Sequence, residues 1–125
     1  MGQAMQQALR AYVAAWNEGD KVKRDELLER SFAADGEYVD SIGRAAGREE
    51  LSARIGQFLA GYPAATVAVD SGIDEHHRYA RFAWVARDGD GDGNVIVLGV
   101  DFAAFAADGL VRRIVGFSGA MPAAT

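Results

Sequence analysis

The run Val95-Ile-Val-Leu-Gly-Val-Asp-Phe-Ala-Ala-Phe105 restricts the fold of this chain more than any other stretch. Its length and its β-branched and aromatic content predict a strand. Both alternating sets of that strand are apolar: Val95, Val97, Ala103 and Phe105 on one face, and Ile96, Leu98, Val100, Phe102 and Ala104 on the other. A sheet built around it therefore needs a cover on each side. Asp101 interrupts the run, and a carboxylate in such surroundings is costly unless it keeps its proton or finds a partner for its charge.

The remaining patterns supply one of the covers. Met5, Ala8, Leu9, Tyr12, Val13 and Trp16 recur at three- and four-residue spacing and predict a helix over residues 3–18, closed by Gly19. Asp20 is placed to cap a second helix over 21–32, with Leu27, Leu28 and Phe32 turned inward, ending before Asp35-Gly36. A short strand follows at 37–40. Leu51, Ile55, Phe58, Leu59 and Tyr62 predict a third helix over 48–60, stopped by Gly61 and Pro63. Beyond it the segments 66–75, 77–87, 95–107 and 110–119 read as strands, the last two joined by an Asp108-Gly109 hairpin turn. The reading is a single α+β domain over residues 1–125. Helices cover one sheet face, and a second copy of the chain is expected to cover much of the outer face, giving a homodimer. Gly99, Gly116 and Gly119 read as kinks that curve the strands.

Composition removes several function classes. A net charge of −5 and a pI near 4.9 provide no basic surface for nucleic acid or anionic membrane, and Arg112-Arg113 is the only adjacent basic pair in the second half. The chain has no cysteine, so disulfides, thiolate catalysis and cysteine-held zinc are excluded. The first ten residues lack the basic and uninterrupted apolar regions of a signal peptide, Gln6 breaks the myristoylation pattern, and a cytoplasmic location is expected. Asp88-Gly-Asp-Gly-Asp-Gly93 matches the start of a calcium loop, but position twelve is Gly99 and the flanks are strands, so a solvated hairpin loop is the reading. His76 and His77, adjacent in a strand, would point to opposite faces and share no metal ion. No metal site and no cofactor are expected.

Three polar residues fall in apolar surroundings and are the candidate chemistry: Tyr12 on the first helical stripe, Asp40 at the end of the short strand, and Asp101. Each has a plainer alternative. Tyr12 could be a core tyrosine bonded to a carbonyl, Asp40 could close an Asx turn into Ser41-Ile-Gly43, and Asp101 could pair with Arg112 or Arg113. Trp16, Tyr38, Phe58, Trp84 and Phe117 are the candidate lining of an apolar ligand cavity, or simple core.

The stretches Tyr12-Val-Ala-Ala-Trp-Asn-Glu-Gly-Asp20, Phe32-Ala-Ala-Asp-Gly-Glu-Tyr-Val-Asp40, Gly47-Arg-Glu-Glu-Leu51 and Asp108-Gly-Leu-Val-Arg-Arg-Ile114, in this order of elements, resemble the nuclear transport factor 2-like superfamily, in particular its SnoaL-like polyketide cyclase and ketosteroid isomerase branches. The resemblance implies a cone-shaped fold: three N-terminal helices packed on a curved mixed or antiparallel β-sheet that encloses a pocket. From ketosteroid isomerase it implies Asp40 as general base, with Tyr12 and a neutral Asp101 donating hydrogen bonds to the developing enolate. The implied activity is cofactor-independent isomerisation or aldol-type cyclisation of a small hydrophobic carbonyl compound. The superfamily also hosts non-catalytic ligand-binding and dimerisation domains and protein-recognition surfaces, and a filled cavity or an arginine on Asp101 would favour those.

Overall fold

In the computed structural model, which describes all 125 residues, the amphipathic stripe of the first segment forms α1 (Gln3–Ala15) and buries Ala8, Leu9, Tyr12 and Ala15. The helix ends three residues before the predicted limit because Asn17 leaves it: its side-chain amide donates to the Val67 carbonyl at 2.8 Å and accepts from the Val67 N–H at 2.7 Å. Asp20 caps α2 (Lys21–Glu29) as expected, accepting from Val22 N and Lys23 N. Arg24, although charged, is buried; it donates to Ser52 Oγ and the Glu18 carbonyl and so ties α2 to the third helix and to the loop before it.

Phe32 was expected to end α2 but opens β1 (Phe32–Val39) instead, wholly buried, since this stretch pairs in parallel with the last strand. The Asp35-Gly36 pair is a bulge inside β1 rather than a turn before it. The ladder shifts register between Phe32 and Glu37, and the Phe32 ring lies where a Cβ on residue 36 would be, so only glycine fits. A three-residue strand that no sequence pattern marks, β2 (Arg44–Ala46), pairs back onto β1 and leads directly into α3 (Gly47–Gly61).

The segment 66–75 divides at Asp70 into β3 (Ala65–Val69) and β4 (Asp74–His76), and β5 (Tyr79–Asp88), β6 (Asn94–Phe105) and β7 (Val111–Ser118) follow. His77 and Arg78 adopt positive φ of 49° and 66° in the turn between β4 and β5. Histidines 76 and 77 are therefore not on opposite strand faces: their Nδ1 atoms lie 3.0 Å apart in solvent, away from the interior. Residues 89–93 form the hairpin loop between β5 and β6.

The strands form one mixed sheet in the order β2-β1-β7-β6-β5-β3, with β4 also on β5; only the β1–β7 pair is parallel. The three helices pack on the inner face around a core that includes Leu9, Leu28, Phe32, Leu51, Ile55, Phe105, Val111 and Ile114. The outer face is left uncovered within one chain, and Tyr79, Val95, Leu98, Phe102 and Phe117 are exposed on it. No helix is long and apolar enough to cross a membrane.

Candidate active site

Between the helices and the inner sheet face lies a cavity of about 300 Å³ whose walls include Tyr12, Asp40 and Asp101 together. Three different elements supply them. Tyr12 comes from the buried stripe of α1, Asp40 from the residue after β1, and Asp101 from the centre of β6, where it pairs with Phe82 on one side and Gly116 on the other. Trp16, Tyr38, Phe58 and Trp84 line the same cavity. Phe117, expected among them, does not: alternation along β7 turns Gly116 inward and Phe117 outward, where it is 61 % exposed and packs edge-on against Phe102.

The polar end begins at Asp40, and its Asx-turn reading holds alongside its place in the cavity. Oδ1 accepts from Ile42 N at 2.9 Å and Gly43 N at 3.1 Å; Oδ2 accepts from the Tyr38 hydroxyl at 2.7 Å and Arg54 Nη2 at 2.8 Å. A carboxylate offers about four lone-pair sites, and all are taken. Partial burial works against the charge, but the Tyr38 and backbone hydrogen bonds and the Arg54 cation outweigh it and hold the Asp40 pKa below the usual value. The Tyr38 phenol is pushed the other way, well above its ordinary pKa, by burial and by its bond to Asp40.

Asp101 has the opposite surroundings. It is 7 % exposed and takes part in none of the ion pairs; Arg113, one of the two partners considered from sequence, pairs with Glu37 instead. Burial, with a further contribution from the Asp40 charge, raises its pKa to about 7. The Trp84 indole opposes that rise, although its buried N–H completes no hydrogen bond within ordinary distance. Tyr12 is 2 % exposed, and its phenol is held well above its ordinary pKa by burial first and by Asp101 second, so it remains a hydrogen-bond donor.

Gly116 brings the two carboxylates together. A Cβ there would lie 2.9 Å from Asp101 Oδ1 and 3.5 Å from Asp40 Cβ, so the missing side chain is the space into which Asp101 leans. The kink reading for this residue gives way to close approach. The apolar wall is continuous: Trp16 contacts Tyr38 and Phe58 at ring-centroid distances of 5.7 and 5.9 Å, and Phe58 contacts Tyr62 at 5.6 Å.

Sequence reasoning missed Arg54. Its position carried a signal: residues 51, 54, 55, 58, 59 and 62 form one continuous helical stripe, and Arg54 is the charge within it. Its guanidinium lies 6.0 Å from the Trp16 ring and lines the cavity.

Comparison with known proteins agrees with this architecture. Residues 9–114 match the family of SnoaL-like domains. A candidate isomerase of the SnoaL-like family from Agrobacterium tumefaciens superposes with a TM-score of 0.83 at 25% identity, covering 95% of this chain and 100% of its own. A SnoaL-like protein of unknown function from Burkholderia thailandensis gives 0.70 at 19%, covering 96% and 99%. A candidate SnoaL-like polyketide cyclase from Jannaschia gives 0.69 at 15%, covering 94% and 89%. The last two likenesses speak to the fold alone. No curated protein sequence matches the chain.

Proposed function

Since the chain belongs to the SnoaL-like family, we propose that it is an acid/base isomerase or cyclase acting on a small hydrophobic carbonyl compound, with Asp101 as the group that moves the proton. The observation that carries this reading is Asp101 itself: a buried carboxyl without an ionic partner, raised to about 7, in the same cavity as a protonated phenol. A group whose pKa is near the working pH is available as both base and acid. Asp101 takes a proton α to the carbonyl, Tyr12 donates to the enolate oxygen as charge develops there, and Asp101 returns the proton at the second carbon.

This assignment moves the base away from Asp40. With every acceptor site occupied and a lowered pKa, Asp40 is poorly suited to take a proton from carbon. It fits the part of a fixed anion that orients Tyr38 and Arg54 and, through its charge, helps to raise the Asp101 pKa toward the working pH. The cavity volume supports a small substrate: filled to the density of a protein interior, about 300 Å³ holds roughly 220 Å³ of ligand, one or two rings. The competing view, a non-catalytic binding domain, is less favoured because the two features that would support it, a filled cavity and an arginine on Asp101, are absent.

We also propose that the outer sheet face takes a second copy of the chain. Leu98, Val100, Phe102, Val115 and Phe117 form a charge-free centre on that face, which is the composition of a homodimer core.

The test of the catalytic reading is α-proton exchange. Cyclic ketones that raise the melting temperature are incubated with the protein in D2O and followed by NMR. Wild type exchanges the α-hydrogens, and Asp101→Asn loses this while still binding; exchange undiminished in Asp101→Asn overturns the assignment.

A further inference from the structure

Arg54 is a costly residue in this place. Its side chain is 19 % exposed on the wall of an apolar cavity, yet only one of its nitrogens is engaged: Nη2 donates to Asp40 at 2.8 Å. Nε is buried and has no hydrogen-bond partner. A guanidinium carries five N–H donors in a planar fork suited to paired oxygens, and a buried donor of a charged group left without an acceptor costs free energy comparable to a lost hydrogen bond or more.

Fixing Asp40 does not by itself account for such a residue. Tyr38 and two backbone N–H groups already occupy the other three acceptor sites of that carboxylate, and a second neutral donor would complete the set without bringing a cation into the cavity. The Trp16 ring lies on one side of the guanidinium, at 6.0 Å, and the cavity adjoins it. The donors that Asp40 does not engage suit an oxygen acceptor. Because Asp40 cancels the Arg54 charge and Asp101 is mostly neutral below its raised pKa, the cavity carries little net charge that would repel an anion.

We propose that Arg54 holds the acidic group of the substrate, so that the ligand is a small apolar oxo-carboxylate: carboxylate on the guanidinium, hydrocarbon body against Trp16 and Phe58, and reacting carbonyl toward Tyr12 and Asp101. This rests on the acid/base reading for the last of these three placements only; recognition of the carboxylate stands on Arg54. It makes Arg54 the specificity-determining residue of the site, a role that positioning Asp40 would not require.

Both tryptophans of the chain line the cavity, so intrinsic fluorescence reports binding there directly. Phenylacetate and phenylacetamide, equal in shape and different in charge, are titrated at about pH 6, where Asp101 is mainly protonated. The wild type is expected to bind phenylacetate about tenfold or more tightly than the amide. Arg54→Met should bring the two within about twofold of each other with amide binding retained. Asp40→Asn releases the guanidinium from its partner and should tighten phenylacetate by about threefold or more while leaving the amide unchanged. This second variant carries the test if Arg54→Met does not fold.

Equal or amide-favouring binding in wild type, absence of saturable quenching by either probe, a charge preference that survives Arg54→Met, or an unchanged preference in Asp40→Asn would each overturn the proposal. The two readings fail separately. Loss of the charge preference leaves Asp101-dependent exchange intact, and exchange that persists in Asp101→Asn leaves the carboxylate preference intact.

Discussion

Replacing Asp101 by asparagine should make this protein more stable at alkaline pH and leave it little changed in acid. The side chain is 7 % exposed, and its pKa rises from an ordinary 3.8 to about 7 on folding. Between those two values the folded protein holds a proton that the unfolded chain has released, so unfolding stability falls as pH rises, by about 1.4 kcal/mol per pH unit. The stabilisation is complete below the unfolded pKa, is lost progressively up to the folded pKa, and changes no further above it. Across the whole window the loss is about 4 kcal/mol, and between pH 5 and pH 8 it is roughly 3 kcal/mol. Asparagine has the same shape and no such proton, so subtracting its unfolding free energy from that of wild type removes the titration of every other group. Urea unfolding followed by tryptophan fluorescence at pH 5 and pH 8, on both proteins at one concentration, measures the difference. A wild-type-minus-variant difference that is equal at the two pH values would refute the claim that Asp101 is buried without a compensating cation, and the proposed proton-transfer role would fall with it.

Two further outcomes follow from the geometry. Gly116→Ala places a methyl 2.9 Å from Asp101 Oδ1; overpacking of this kind costs about 1–3 kcal/mol, and thermal unfolding should show that loss together with slowed α-proton exchange, whereas an unperturbed melting temperature would mean that Asp101 does not need the space. Phe102→Glu, at 45 % exposure in the middle of the outer sheet face, should convert a wild-type dimer into a folded monomer in sedimentation at micromolar concentration, and a monomeric wild type or a dimeric variant would remove the proposed interface.

The sequence was most legible where one pattern had one cause. Three amphipathic helices and a long two-faced strand follow directly from apolar spacing, whereas a shared cavity for Tyr12, Asp40 and Asp101 was implied by the family resemblance, and the structure places all three on its walls. It was least legible where a residue served an unseen partner. Asp35-Gly36 has the composition of a turn but is a bulge, because Phe32 folds back over the glycine and the strand finds β7 far along the chain. Phe117 has the aromatic character of a lining residue, but alternation with the inward Gly116 turns it to the outer face. The plainer readings were not always rivals either: Asp40 closes an Asx turn with one oxygen and faces the cavity with the other. The ion pair with Arg112 or Arg113 considered for Asp101 does not form; the pair at the cavity joins Asp40 to Arg54 of α3, whose place in the helical stripe was legible but whose partner was not.

Asn17 closes the end of α1 onto Val67 through two hydrogen bonds, and β3 is the last strand of the sheet. Its side-chain amide offers one donor and one acceptor to the strand margin, much as a neighbouring peptide group would. An unprotected margin of this kind is where a stranger's backbone can add itself and start an aggregate. By filling that pair of positions from within its own chain, the protein discourages polymer growth at this end of the sheet and still leaves its outer apolar face uncovered.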